Sequence, residues 1–479
     1  LAPEAARPVP VRVPRQRHPL TDAQRIFWVL RQVTGTPWAS TVGLRLTVDG
    51  LSDLAELQAA LDAVVVRHEA LRTRLVDDGD GPYAEVSPPA PVPVTELTPR
   101  PAESDAGLDE QERCRIAADF AAQPFRLATD VPMIRVGVIW TGPRQADLAM
   151  AIDHTAFDGF SIGLLMRELV AALRAVRTGA DPVTALPAPP LQVSDVAVAD
   201  EQARAQRAEE VATFWRTTLA DVTPPFDLPG RPRSAPTRHA GRRIIRPIAP
   251  TLHADIAALA ERNGVTPYAI WAAALVVLLD GLTGRADTLL GVAAANRDRP
   301  GTEALVGALL DVLPIRVDCA DDPSFAGLAA RVAGRTAHAL AHRDVAIGDL
   351  PRLAGGSRPI GTGLTPVVLS VQPDGMPMEV SEAGTTVRLR GELDTSAAQN
   401  ELTVYVNATV DGPELHVEYD TDRFTDADGE RMTELLLRIL RAGVAEPHRP
   451  VSTLPLLDET ERARLLAVGD GGPVPARSE

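Results

Sequence analysis

Met150-Ala-Ile-Asp153-His154-Thr-Ala-Phe-Asp158-Gly159-Phe-Ser161 is the stretch on which the reading of the chain turns. An apolar strand-like run ends at Asp153, and His154 falls in the turn that follows. Asp158-Gly159 then open an amphipathic helix with Ile162, Leu165, Leu169 and Leu173 on one side. Turns of this kind hold polar side chains on rigid supports. The unpaired amide N–H groups at a helix start can receive a developing oxyanion. A neutral imidazole there can accept a proton from a reacting group, or orient that group. The same residues also fit a plain turn histidine beside an aspartate that caps a helix. With nine histidines in the chain, a His-x3-Asp-Gly match arises by chance at about 4%.

Strand and helix patterns alternate on both sides of this turn. A hairpin is expected over 133–152, turning at Thr141-Gly142-Pro143. Before it come a helix capped by Thr21 and carrying Ile26, Trp28 and Leu30, a strand over 43–48 and a helix over 54–67. The Pro-rich Leu186-Pro187-Ala188-Pro189-Pro190 marks an interior boundary. Beyond it the pattern predicts a long helix to about 220, a Pro-rich turn over 223–236 and a strand over 243–248. Helices over 251–263 and 267–282 follow, then strands over 287–292, 313–317, 367–372, 385–389, 401–409 and 414–419. A terminal helix is expected over 426–442. Each half mixes strands with helices, so two α/β lobes of similar size are expected. Residues 1–17 and 466–479 read as linkers, 18–186 as one lobe and 187–465 as the other. A first residue that is not Met suggests a piece of something longer.

Composition narrows the function. The 479 residues hold 64 Asp+Glu against 48 Lys+Arg, for a net charge of -16. That acidity argues against nucleic acid as a partner. Every basic residue counted is Arg, which removes lysine Schiff-base chemistry. The two cysteines, Cys114 and Cys319, cannot build a disulfide framework or a thiolate metal site. His338 and His342 stand four apart, but a pair without further ligands is not a zinc site, and no metal is expected. There is no secretory-type start and no apolar run long enough to span a bilayer, so no membrane partner and a cytoplasmic setting are expected.

Further blocks resemble a known family, the condensation domains of non-ribosomal peptide synthetases, within the chloramphenicol-acetyltransferase-like superfamily. His154, Asp158 and Gly159 match its His-His-x3-Asp-Gly signature. Leu20-Thr-Asp-Ala-Gln24-Arg-Ile-Phe-Trp28 and Arg67-His-Glu-Ala-Leu-Arg-Thr73 are similar to its early blocks. Ala295-Asn296-Arg297, Val306-Gly307, Leu313-Pro-Ile-Arg316, His342-Arg-Asp344-Val345, Tyr419-Asp-Thr-Asp-Arg-Phe424 and Leu454-Pro-Leu-Leu-Asp458 follow in the family's order. The resemblance runs over roughly 18–465.

The resemblance implies an α/β fold of two chloramphenicol-acetyltransferase-like lobes, a V-shaped pseudo-dimer with a central tunnel. It implies an acyltransferase that joins donor and acceptor acyl groups by an amide bond. No cofactor is bound; substrates arrive as phosphopantetheine thioesters on upstream donor and downstream acceptor peptidyl carrier domains, with an adenylation domain adjoining. His154 and the Gly159 N–H are the implied catalytic groups, and Asp158 and Arg297 an implied structural pair, bidentate in geometry.

The sequence also departs from the family. Asp153 replaces the usual first histidine, and with Asp158 and Ser161 it formally matches the Asp-x4-Asp-x-x-Ser of heterocyclization relatives. Asp311-Val312, Ala346-Ile347 and Gly363-Leu364-Thr365-Pro366 differ from the usual residues as well. Ester formation, heterocyclization and a silent domain that recruits a tailoring enzyme therefore stand as alternatives. Strand alternation puts Asp153 and His154 on opposite sides. His154 is expected to face the tunnel, and Asp153 neighbouring hydrogen-bond donors.

Overall fold

Two six-stranded sheets carry the fold. The computed structural model describes residues 9–34, 40–101, 108–222, 228–232, 239–355, 364–372 and 376–457, together with Ala463 and Ala467. Most of the proposed 466–479 linker, residues 1–8, much of the Pro-rich turn over 223–236, and Gly363 lie outside these described residues.

The first sheet runs, edge to edge, Glu379–Glu382, Thr385–Glu392, Thr41–Asp49, Gln145–Asp153, Ile134–Gly142 and Val94–Thr98. The expected hairpin forms its centre, with Val136 opposite Met150. Helices Leu54–Arg67 and Ser161–Arg177 cover one face, through Leu57, Leu61, Val64, Leu165, Leu169 and Leu173. The second sheet runs Asp311–Asp318, Asp287–Ala294, Val367–Val371, Leu402–Thr409, Gly412–Asp420 and Gly241–Pro247. Its core packs on helix Pro267–Thr283, where every residue from Ala269 to Leu279 is buried. Among the described residues no single helix is long and apolar enough to cross a membrane.

The two lobes repeat one design. Asp153 N–H donates to the Met133 carbonyl at 3.0 Å and His154 N–H to that of Ser40 at 2.8 Å. Asp420 N–H donates to the Glu401 carbonyl at 3.1 Å and Thr421 N–H to that of Ala240 at 2.9 Å. Asp153 sits opposite Thr41 in the first sheet, and Asp420 opposite Gly241 in the second. A buried Phe lies four residues after each aspartate, at Phe157 and Phe424. Thr421 therefore occupies in the second lobe the place His154 has in the first. The chain is a pseudo-dimer with one histidine-bearing turn.

One excursion ties the lobes together. The hairpin Glu379–Glu392 leaves the run of the second lobe and adds to the first sheet, pairing Thr386 with Asp49 and Glu392 with Leu44. A cut between 186 and 187 thus separates the chain but not the two sheets. Arg243, on the edge strand of the second sheet, donates to Glu392 at 2.9 Å and to Glu418 at 2.7 Å. Burial holds the Glu418 carboxyl above the usual range, offset only in part by Arg243. On its way back the chain crosses Gly241 closely: a Cβ there would lie 2.4–2.6 Å from the backbone of Ala397 and Ala398. Gly241→Ala should therefore lower stability by about 1–3 kcal/mol, read as a shifted denaturant midpoint with unchanged slope.

Candidate functional site

The first helix, Asp22–Thr34, places the residues around the turn. Thr21 and Gln24 form a reciprocal cap: Gln24 N–H donates to Thr21 Oγ1 and Thr21 N–H to Gln24 Oε1, both at 3.1 Å. Gln24 Nε2 then donates to the Thr155 carbonyl at 3.2 Å, one residue past the histidine. Phe27 stacks on the His154 ring with centroids 4.4 Å apart and planes 24° off parallel. Arg31 donates to Asp153 and Ser40, and reaches the Phe125 carbonyl at 2.7 Å. Residues 24, 27 and 31 lie on one helical face, and that face holds residues 153–155.

Asp153 is fully buried. Beyond Arg31, its Oδ1 accepts from Thr155 N–H at 2.9 Å and Thr155 Oγ1 at 2.6 Å. The carboxylate therefore serves the turn, toward donors as expected. His154 is half-buried, and its Nδ1 is enclosed without a hydrogen-bond partner among the described residues. The ring is held by its backbone and by Phe27, and no carboxylate among the described residues orients it as in a Ser-His-Asp triad.

Asp158, also fully buried, gathers donors from both lobes. Its Oδ1 accepts from Ser161 N–H at 3.1 Å, Ser161 Oγ at 2.9 Å and Arg297 Nη2 at 2.8 Å. Its Oδ2 accepts from Arg297 Nη2 at 3.0 Å and Leu309 N–H at 3.1 Å. The contact between Asp158 and Arg297 is there, but the two-nitrogen fork is not: one nitrogen spans both oxygens. The other guanidinium arm, Nη1, holds the carbonyls of Thr302 at 2.9 Å and Leu305 at 2.7 Å. Gly307 N–H donates to Ser161 Oγ at 3.1 Å. A Cβ at Gly307 would come within 2.2 Å of Val193, so the close approach needs glycine. The segment 295–310, which joins two strands of the second sheet, is thereby seated on the turn of the first.

Gly159 is exposed, and a Cβ added to it would meet nothing within 4 Å. Neither packing nor a left-handed backbone requires glycine here. The remaining histidines of the motif blocks do structural work. His68 is buried against Glu168 at 2.7 Å, beside Arg67 on the same carboxylate at 2.8 Å. His342 stacks on Phe214 at 3.8 Å, and its Nδ1 lies 2.8 Å from the His338 carbonyl. No group of three or more His, Cys, Asp or Glu that could hold a metal occurs among the described residues.

Sequence reading named Asp153, His154, Asp158, Gly159, Ser161 and Arg297. It missed the part of Arg31 and Phe27, whose signal was their helical spacing from Gln24. Removing either partner of the buried Asp158–Arg297 pair should cost about 3–5 kcal/mol, since the other is left uncompensated. In a double-mutant cycle with Asp158→Ala and Arg297→Ala, the double variant should be clearly less destabilised than the sum of the single ones. Additive losses would remove the pair from the account.

Comparisons with known proteins bear on the fold and the family. The family model described as "Condensation domain" matches residues 15–466. Phosphinothricin tripeptide synthetase PhsB of Streptomyces viridochromogenes is 34% identical over 459 residues, covering 94% of this chain and 38% of that protein. The probable non-canonical nonribosomal peptide synthetase CymA of Salinispora arenicola is 32% identical, over 96% of this chain and 6% of that protein. The chain thus spans well under half the length of these relatives. Among solved structures, the X-domain from teicoplanin biosynthesis superposes with a TM-score of 0.80 at 25% identity, covering 94% of this chain and all of that one. The first condensation domain of the calcium-dependent antibiotic synthetase, at 24% identity, shares the fold with a TM-score of 0.76 over 92% and 99% of the two chains. With the model matched over nearly its whole length, and the turn braced between two lobes of one design, this chain belongs to the condensation-domain family of non-ribosomal peptide synthetases.

Proposed function

We propose that the chain forms an amide bond between a donor and an acceptor, each held as a phosphopantetheine thioester on a carrier domain. The observation that carries this is His154: a half-buried imidazole at a strand end, on a turn braced by Arg31 and Asp153 on one side and by Asp158 and Arg297 on the other. The acceptor amine attacks the donor thioester carbonyl. The C–N bond forms, the C–S bond breaks, and the donor arm leaves as a thiol that takes up the proton. His154 accepts or steers that proton, and the N–H of Gly159, an exposed residue, stabilises the tetrahedral oxygen. Asp158 and Arg297 act as positioning residues. The two thioesters reach His154 from opposite ends of a passage between the lobes. Adenylation and carrier domains work beside it in the cytoplasm.

Heterocyclization is less well supported. It would ask Asp153 and Ser161 to meet substrate, yet both are fully buried and bonded within the chain. A recruiting role is a second reading, favoured by the likeness to a teicoplanin X-domain, one structure of which is in complex with OxyB. The two separate in one assay. His154→Ala should leave the fold intact and lower the rate of donor transfer between loaded carriers at least about a hundredfold, measured by quenched single-turnover reactions. Equal rates for the two proteins would take His154 out of the mechanism. No transfer by the native chain from its own carriers would favour recruitment.

A further inference from the structure

The residues ahead of the first helix are fastened to the body of the protein. Val9, Val11 and Val13 point outward, 61%, 70% and 43% exposed, while Pro10 between them is buried. That alternation is an extended segment lying with one side against the surface. Arg12 Nη2 donates to Glu69 at 2.8 Å. Val13 N–H and Arg15 Nη1 donate to Asp195 Oδ1 at 2.9 and 2.8 Å, and Arg12 Nη1 stands 3.6 Å from the other oxygen. The segment ends as a short strand, Arg17–His18, paired with Glu85 and Ala84, with Arg17 over the Tyr83 ring at 4.4 Å.

Asp195 is no ordinary surface anion. Its side chain is fully buried, and it sits in the first turn of helix Val193–Thr218, where it also accepts from Gln192 N–H at 2.8 Å. A buried carboxylate needs all its donors, and residues 12–15 supply most of them.

We infer that residues 9–18 are a clasp that fixes where a preceding carrier domain is tethered, with Asp195 as its anchor. The inference rests on the reading that carriers deliver the thioesters. A clasp shortens the free tether and so raises the effective concentration of a carrier joined in cis. Lengthening a free tether from about ten residues to about twenty lowers that concentration about threefold, as the −3/2 power of length. A carrier supplied separately gains nothing from the clasp.

The test compares the native chain with the double variant Arg12→Ser, Arg15→Ser, each with a donor carrier joined ahead of residue 1. Hydrogen exchange at the Val13 amide reads the clasp without any reaction, and transfer is timed from the joined carrier and from a free one. We expect Val13 to be protected in the native chain and unprotected in the variant. Transfer from the joined carrier should fall about threefold, and transfer from the free carrier should not change. An unprotected Val13 in the native chain, or an equal loss with both carriers, would overturn the clasp. If the native chain transfers from neither carrier, the amide-forming reading fails instead, and exchange at Val13 alone decides whether the segment is anchored.

Discussion

A carboxylate without solvent must find its donors inside the protein, and the Asp158 carboxylate finds them on two different lobes. Ser161, three residues further on, opens the helix that follows the turn. Arg297 and the Leu309 amide come from the segment that joins two strands of the second sheet. Neither half satisfies the group alone, so the turn that carries His154 has one seating on the second lobe. The loop around Thr302, Leu305 and Gly307 is drawn in by the same guanidinium. A pair of this kind is weak evidence for overall stability, because desolvation offsets much of the attraction. Its use here is registry: it sets where the histidine stands relative to the facing lobe.

The absence of lysine in so acidic a chain takes on meaning in this light. Arg31 joins a carboxylate, a hydroxyl and a carbonyl. Arg297 joins one carboxylate, one hydroxyl and three carbonyls, and Arg243 bridges two carboxylates across the interlobe excursion. A planar guanidinium with five donors can tie several backbone groups and acids at once, and a compact ammonium cannot. The net charge of -16 lies on a protein whose buried ties are cationic hubs.

Much of this was legible in the sequence because its signals are local. The period of 3.6 marked the helices Leu54–Arg67 and Pro267–Thr283 within one or two residues. The alternation in 133–152 marked the central hairpin. What stayed hidden is non-local. Residues 385–389 read as a strand, but nothing in them says that they join the first sheet beside Thr41–Asp49. The short strands Thr73–Asp77 and Pro82–Val86, and the pairing of Arg17–His18 with the latter, are too brief to show a period. Residues 9–17 look like linker by composition, and only their contacts with Asp195 and Glu69 show them docked. The repeat of the two turns survives as little more than an Asp followed four residues later by a Phe, below what a single sequence reveals.

The most direct measurement is the intact mass of both carrier domains after incubation with the native chain, one loaded with donor and the other with an amine-bearing acceptor. The account predicts that the donor carrier returns as the free phosphopantetheine thiol. The acceptor carrier should gain the donor acyl group in place of one hydrogen, with no further loss of water. Masses unchanged beyond spontaneous hydrolysis would contradict it, and so would an acceptor product lighter by one more water.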